Sequence, residues 1–129
     1  MEIEVPNLWP DDLFGKTSEV SPFAILKQQG TQLAEATNGV LRGSVGRQVS
    51  PYGNEFIYEF GIYVPALEYN YDLFRLDQKQ LDFYPLQYRF ENETGELASE
   101  QELYTWLKRV FYSEKTRLVV KRLLAQAKA

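Results

Sequence analysis

The 129-residue chain contains no histidine and no cysteine. Histidine changes its charge near neutral pH and is a common general base and metal ligand. Without cysteine there are no thiolate nucleophiles, no cysteine zinc sites and no disulfides. These absences exclude Ser-His-Asp and Cys-His catalysis, and we expect a protein that is not an enzyme and that holds neither a cofactor nor a metal.

Catalytic and metal-binding sites that need neither histidine nor cysteine also have little support in the sequence. Glycines 39, 43, 46 and 53 are too widely spaced for a phosphate loop. Glu55 and Glu59 would lie about 13 Å apart on one strand, farther than paired-carboxylate hydrolysis requires. Glu91 and Glu93 lack the pattern of a calcium loop. Solvated acids are therefore the expected role of these carboxylates.

The chain also lacks a run of about 20 apolar residues that would span a membrane. Residues 1–6 have neither the basic start nor the apolar core of an export signal. A chain without cysteine suits a reducing compartment. We expect no membrane association and a cytoplasmic location.

The composition that is present is that of one globular domain. The hydrophobic fraction is 44% and the charged fraction 25%, both ordinary values, whereas the aromatic fraction reaches 15%. Twelve of the 19 aromatic residues lie between Tyr52 and Phe90. Aromatic residues are enriched in strands, so this run locates a β-sheet.

Charge is divided unevenly along the chain. From Lys108 to the end there are seven basic residues and one acid, a net charge of +6, which leaves −10 for residues 1–107. The basic residues either complement helix C-termini and face solvent or form a docking face for an acidic partner. That partner would be a nucleic acid or the acidic body of a second copy.

Residues 1–20 are predicted to form an irregular arm, and residues 21–129 a single α+β domain. The arm contains two prolines and an acidic pair, and its apolar residues Leu8, Trp9, Leu13 and Phe14 indicate that it packs on something. Ser21-Pro22 is a typical helix start, and Asn38-Gly39 a typical end. The first helix is therefore predicted at about 22–37.

Alternating apolar positions predict four strands, at about 40–49, 55–64, 71–77 and 82–90. The short connections favour a four-stranded antiparallel meander sheet. Pro85 cannot donate to a ladder, so the fourth strand is expected at an edge or interrupted there. Residues 91–95 are expected to form a polar loop. A capping box at Ser99 and a change of phase at Ser113 then predict two C-terminal helices that pack, like the N-terminal helix, on the sheet.

Strand alternation sorts the side chains into an apolar core face, which includes Tyr58, Phe60 and Tyr88, and a second face. The second face mixes guanidinium groups with tyrosine rings, a combination enriched at protein interfaces. It is predicted to carry Arg42, Ser44, Glu59, Tyr63, Tyr71, Arg75, Gln87 and Arg89. The alternative is that a helix partly covers this face, with Glu59 paired across strands to Arg42 or Arg75.

Three functional hypotheses follow. The first is a cytoplasmic protein-interaction module of the adaptor, inhibitor or immunity-protein type, including self-association through the arm or a sheet edge. The second is single-stranded nucleic-acid binding, which a sequence pI of 4.9 disfavours. The third is a small-molecule or histidine-free hydrolytic site between sheet and helices, lined by tyrosines. The candidate binding residues are Arg42, Glu59, Tyr63, Tyr71, Arg75, Gln87, Arg89, Lys121 and Arg122.

Overall fold

The protein, described from a computed structural model over residues 3–15 and 18–128, has one antiparallel sheet and three helices in that part of the chain. The helices are α1 (Pro22–Ala36), α2 (Glu100–Tyr112) and α3 (Glu114–Ala127). The strands are β1 (Arg42–Val49), β2 (Phe56–Val64), β3 (Tyr69–Gln78), β4 (Leu86–Phe90) and β5 (Glu93–Leu97). They lie in sequence order, so the sheet is a meander. The predicted α+β class is confirmed, with five strands instead of four.

Each helix has a serine as its N-cap, directly before its first residue. The side-chain oxygens of Ser21, Ser99 and Ser113 accept hydrogen bonds from the backbone N–H three residues later, at 3.1, 3.2 and 3.2 Å respectively. These bonds satisfy donors that have no partner within the first turn of a helix. After α1, Asn38 and Gly39 adopt the left-handed backbone conformation that ends a helix. The predicted helix boundaries are confirmed. They could be predicted because capping depends on residues that are close along the chain.

The prediction of a polar loop at residues 91–95 is wrong. Only Glu91 and Asn92 form a turn, and Glu93–Leu97 pairs with β4 as the edge strand β5. This strand lacks apolar alternation because the inward position opposite Tyr88 is a glycine. A side chain on Gly95 would collide with the Tyr88 ring, which therefore supplies the apolar surface that β5 itself lacks.

The predicted start of the fourth strand, at about residue 82, is also wrong. The strand begins at Leu86, directly after Pro85, so the missing N–H of the proline lies outside the ladder. β4 lies between β3 and β5 and is an interior strand. The predicted interruption of the strand at Pro85 is therefore confirmed, and its predicted position at the edge of the sheet is wrong.

An irregularity in β3 overturns the predicted orientation of Tyr71. Phe60 pairs with Phe74 and Gly61 with Asp72, so Leu73 is an extra residue in β3. A single extra residue reverses the faces of the residues before it. Tyr71 consequently lies opposite Ile62 and packs against the core.

Aromatic side chains form the centre of the core on one face of the sheet. Phe60 stacks on Phe74 with 5.0 Å between ring centroids, and Trp106 of α2 meets the Phe74 ring edge-on at 4.9 Å. Tyr88 contacts Trp106 at 4.8 Å. These distances lie in the range of favourable aromatic pairs. All three helices contribute side chains to this one cluster, which leaves the other face of the sheet without a helix.

Two glycines bring α1 against β1. A Cβ atom built on Gly43 would lie 2.2 Å from the Cα atom of Gly30, and one built on Gly30 would lie 2.8 Å from the carbonyl oxygen of Gly43. Both neighbours are backbone atoms that cannot rotate away. The absence of side chains at these two positions therefore sets the separation of α1 from the sheet.

We expect Gly43→Ala to destabilise the fold by about 2–3 kcal/mol, because the new methyl group forces α1 away from β1. Gly46→Ala in the same strand is the matched control. Its Cβ would have one neighbour, the Glu59 carbonyl oxygen at 4.0 Å, so its stability should change by less than about 0.5 kcal/mol. Urea denaturation of the two variants measures both effects. Equal stabilities would contradict the close contact.

Candidate interaction surfaces

The sheet face opposite the helices, here called the outer face, carries six of the nine predicted binding residues. In the strand register Glu59 lies opposite Arg75, and Arg75 opposite Arg89. Arg42 and Tyr63 are paired at the other end of the face. Arg42, Glu59, Gln87 and Arg89 are exposed, whereas Tyr63 and Arg75 are half-buried. The structure thus brings together Arg42, Glu59, Tyr63, Arg75, Gln87 and Arg89.

Arg75 is held by its neighbour in the same strand rather than by Glu59. Its Nε donates a hydrogen bond to Asp77 Oδ1 at 2.7 Å, which raises the pKa of the guanidinium. Among residues 3–15 and 18–128, no ion pair joins Glu59 to Arg42 or to Arg75. The predicted Glu59 pairs are therefore wrong, because the Arg75 guanidinium bonds to Asp77 instead and Arg42 lies opposite Tyr63.

The outer face has charges of both signs. Arg42, Arg75, Lys79 and Arg89 share it with the carboxylates of residues 55, 59, 72, 77 and 96. A shallow groove of about 340 Å³ crosses it between Arg75, Asp77, Gln87, Arg89, Thr94 and Glu96. A surface with alternating charges suits a protein partner better than a phosphate backbone, which needs concentrated positive charge.

The remaining three predicted residues lie elsewhere. Tyr71 is on the core face, and Lys121 and Arg122 are exposed on α3. Lys121 lies with Arg109, Lys115 and Arg117 along a groove of about 700 Å³ at the α2–α3 junction. The groove also contains Glu91, Glu93 and Glu114, and Arg109 pairs with Glu93 at 3.2 Å. The basic residues of α3 therefore form a second surface, separate from the outer face.

The N-terminal arm keeps its large apolar side chains in solvent. Between residues 3 and 15 the exposed fractions run from 54% for Leu13 to 84% for Ile3, and Trp9 is 65% exposed. Trp9 and Phe14 contact each other edge-on at 6.1 Å. A 3-10 turn spans Asp11–Phe14. The arm thus presents an acidic turn flanked by apolar side chains that its own core does not cover. Its exposed large apolar residues are Ile3, Val5, Leu8, Trp9, Leu13 and Phe14.

A cleft of about 270 Å³ opens on the helical side of the sheet, between α1 and the two C-terminal helices. Its lining is mainly apolar and comes from the sheet and from all three helices. The apolar residues are Leu33, Phe60, Ile62, Leu73, Phe111 and Val120. Gln29, Gln32 and Thr116 are its polar residues. None of the lining residues of this cleft is a tyrosine.

The arm joins the domain beside a buried tyrosine. Residues 18–20 lie next to Leu81, Phe83 and Tyr84, at the end of the sheet where α2 begins. The hydroxyl of Tyr84 is buried and has no hydrogen-bond partner within the described residues. Burial, together with the negative charge of Glu100 and the nearby Tyr104, raises the pKa of Tyr84 to about 12.

Sequence reasoning anticipated a site between sheet and helices but not the residues that line this cleft, because they come from five elements distant along the chain. The exposure of the arm had a detectable signal, since prolines 6 and 10 surround apolar residues that have no helical or strand periodicity. Such residues cannot join a regular element that would bury them on the sheet.

No protein-family model matches the chain, and comparison with curated proteins and with solved structures gives no significant match. In the part of the chain that the structure describes, no group of three or more acidic residues is placed to hold a metal ion. Within the same residues no helix is both long and apolar enough to cross a membrane. The surfaces described above are therefore the basis for a functional proposal.

We expect Tyr84→Phe to stabilise the protein by about 1 kcal/mol at pH 7, because it removes a buried hydroxyl without a partner. Tyr58→Phe is the matched change. The Tyr58 hydroxyl donates to Gln78 Oε1 at 2.8 Å in the buried interior, so its loss should cost about 1–2 kcal/mol. Urea denaturation of both variants at pH 7 measures the difference in sign. The proposed environment of Tyr84 is wrong if both variants lose stability.

The same substitution has a defined pH dependence. The folded-state pKa of Tyr84, about 12, is above the unfolded value near 10. The contribution that protonation of Tyr84 makes to the free energy of unfolding is therefore complete below pH 10 and is lost as the pH rises toward 12. The stability of Tyr84→Phe should fall less than that of the wild type over this interval, as thermal unfolding at several pH values will show.

Proposed function

We propose that the chain is a cytoplasmic protein-interaction module of the adaptor, inhibitor or immunity-protein type. In this proposal it has no catalytic activity of its own and engages its partner mainly through the N-terminal arm. The observation that carries the proposal is the exposure of six large apolar side chains within residues 3–15. Contiguous exposed apolar residues are typical of interaction sites.

The free energy that burial of the arm's apolar side chains would contribute to binding is large relative to the stability of a domain. Burying one large apolar side chain contributes about 1.5–3 kcal/mol, so six correspond to roughly 10 kcal/mol or more before the cost of association. Ordering an extended segment reduces this gain. Trp9 and Phe14 are the expected anchors, because aromatic side chains dominate binding energy at interfaces.

The outer face supports the same proposal as a second contact surface. Arg42 and Arg89 form no ion pair with another described residue and lie among carboxylates, an arrangement that favours recognition of a particular protein partner through complementary charges. Single-stranded nucleic acid is supported less well. The basic residues of α3 lie on the helical side of the sheet, away from Arg75 and Arg89, so no continuous basic surface joins the two sets.

The cleft does not favour the hydrolytic hypothesis. Its polar lining consists of two glutamines and a threonine, which have no acid–base role near neutral pH. Its volume of about 270 Å³ is slightly below the roughly 300–1,000 Å³ typical of small-molecule sites. A cleft of this size and lining suits one or two apolar side chains of a protein.

We expect Trp9→Ser to weaken partner binding at least tenfold, because loss of an aromatic anchor costs about 2 kcal/mol or more. Its thermal stability should remain that of the wild type, since Trp9 is exposed. The control is Tyr52→Ser, because Tyr52 is an aromatic residue outside the arm that is even more exposed than Trp9. Affinity capture from a native lysate, quantified by mass spectrometry, compares the three proteins.

Retention of the same proteins by the wild type, Trp9→Ser and Tyr52→Ser would contradict a role for the arm. A parallel capture with Arg89→Ala tests the outer face. Loss of the partner in this variant alone would transfer the proposed site from the arm to the outer face.

A further inference from the structure

Two apolar surfaces of the molecule are left partly exposed, and they are complementary to each other. The arm exposes apolar side chains, and the cleft between α1 and the C-terminal helices exposes part of the core. In the structure the root of the arm, at residues 18–20, lies beside Leu81 and Tyr84 rather than over the cleft. No described residue of the arm lines the cleft, so the described part of the arm leaves the cleft of its own molecule open.

Charge on the two surfaces is complementary. Residues 1–20 carry five acids and one lysine, a net charge of −4. Helix α3 carries four basic residues and one acid, a net charge of +3. Thr116 and Val120 line the cleft, and the residues that follow them directly, Arg117 and Lys121, line the adjacent groove. An acidic segment with apolar anchors fits a cleft bordered by such a helix.

We infer that the arm of one copy docks into the cleft of a second copy, with Trp9 or Phe14 as the apolar anchor and Asp11 and Asp12 facing Arg117 and Lys121. The second arm docks reciprocally, which produces a closed dimer with two-fold symmetry. This inference rests on the proposed function, because it names a second copy of the chain as the partner of the arm.

Length and area are compatible with this exchange. Residues 8–14 precede Ser21 by 7–13 residues, so they reach roughly 23–45 Å from the domain when extended. Trp9 and Phe14 each offer about 150–250 Å² of surface. Two docked arms and the surfaces that they cover therefore bury more than the roughly 1,000 Å² expected of a specific interface.

The test uses two charge-reversal variants of the full chain. One carries Asp11→Lys and Asp12→Lys in the arm, and the other carries Arg117→Glu and Lys121→Glu on α3. All four positions are exposed, so the fold should be retained, as circular dichroism will verify. Each variant alone opposes like charges and should dissociate at least tenfold more readily than the wild-type dimer, measured by light scattering after size exclusion.

Mixing the two variants should restore a dimer, because each arm then meets an α3 helix of opposite charge. The matched control reverses two basic residues that line neither the cleft nor the groove, Lys27→Glu and Arg47→Glu, which are both exposed, and it should leave the wild-type dimer unchanged. The tryptophans supply an independent readout. Trp106 is only 4% exposed and Trp9 is 65% exposed, so dimerisation should shift the emission of Trp9 toward shorter wavelengths as the protein concentration rises.

A wild-type protein that stays monomeric at every concentration would overturn the inference. A dimer that survives both charge reversals, or that the control reversal of Lys27 and Arg47 dissociates, would also overturn it. A monomer whose Trp9 is already shielded from acrylamide quenching would indicate that the arm covers its own cleft, with the same consequence. If the wild type is monomeric but Trp9→Ser still loses a partner from the lysate, the proposed function stands and the dimer does not.

Discussion

The close approach of α1 to β1 at Gly30 and Gly43 is the constraint on which the layout of the helical layer depends. Two backbones in contact hold α1 over the edge of the sheet formed by β1 and β2. Helix α2 takes the other side, where Trp106 meets Phe74 and Tyr88. Because α1 lies so close to its own strand pair, it does not extend over the middle of the sheet, and the cleft remains there.

The division of aromatic residues between core and surface follows from this layout. The rings at the centre of the sheet stack on one another and on Trp106, so they stabilise the fold, and Phe60 among them also lines the cleft. Among the exposed rings, Trp9 and Phe14 lie in the arm and Tyr52 in the β1–β2 turn, whereas Tyr69 lies in β3 and Tyr104 and Tyr112 lie in α2. The apolar side chains that we propose to bind a partner lie in a segment of irregular structure, in keeping with the general rule that loops carry recognition while regular elements carry packing.

Local patterns predicted most of the fold. Serine caps, the Asn38-Gly39 stop and the apolar stripe of α2 depend on neighbours within one turn of helix, so they could be identified from sequence. Strand parity placed Tyr58, Phe60 and Tyr88 correctly in the core. It failed for Tyr71, because an extra residue in β3 is invisible to a rule that assumes a strict period of two. It also failed for β5, whose inward positions contain only one apolar residue, Leu97, since the Tyr88 ring covers Gly95.

The sequence by itself determined the class of fold, the ends of the helices, the absence of imidazole and thiol chemistry and the separation of an acidic body from a basic C-terminal segment. Each of these depends on residue type or on neighbours close along the chain. Only the tertiary structure decided that the outer face has no helix over it, that Arg75 pairs with Asp77, and that a cleft faces α3 while the arm stays exposed. These features depend on which distant elements meet, and that depends on the packing of whole helices against the sheet rather than on any local pattern.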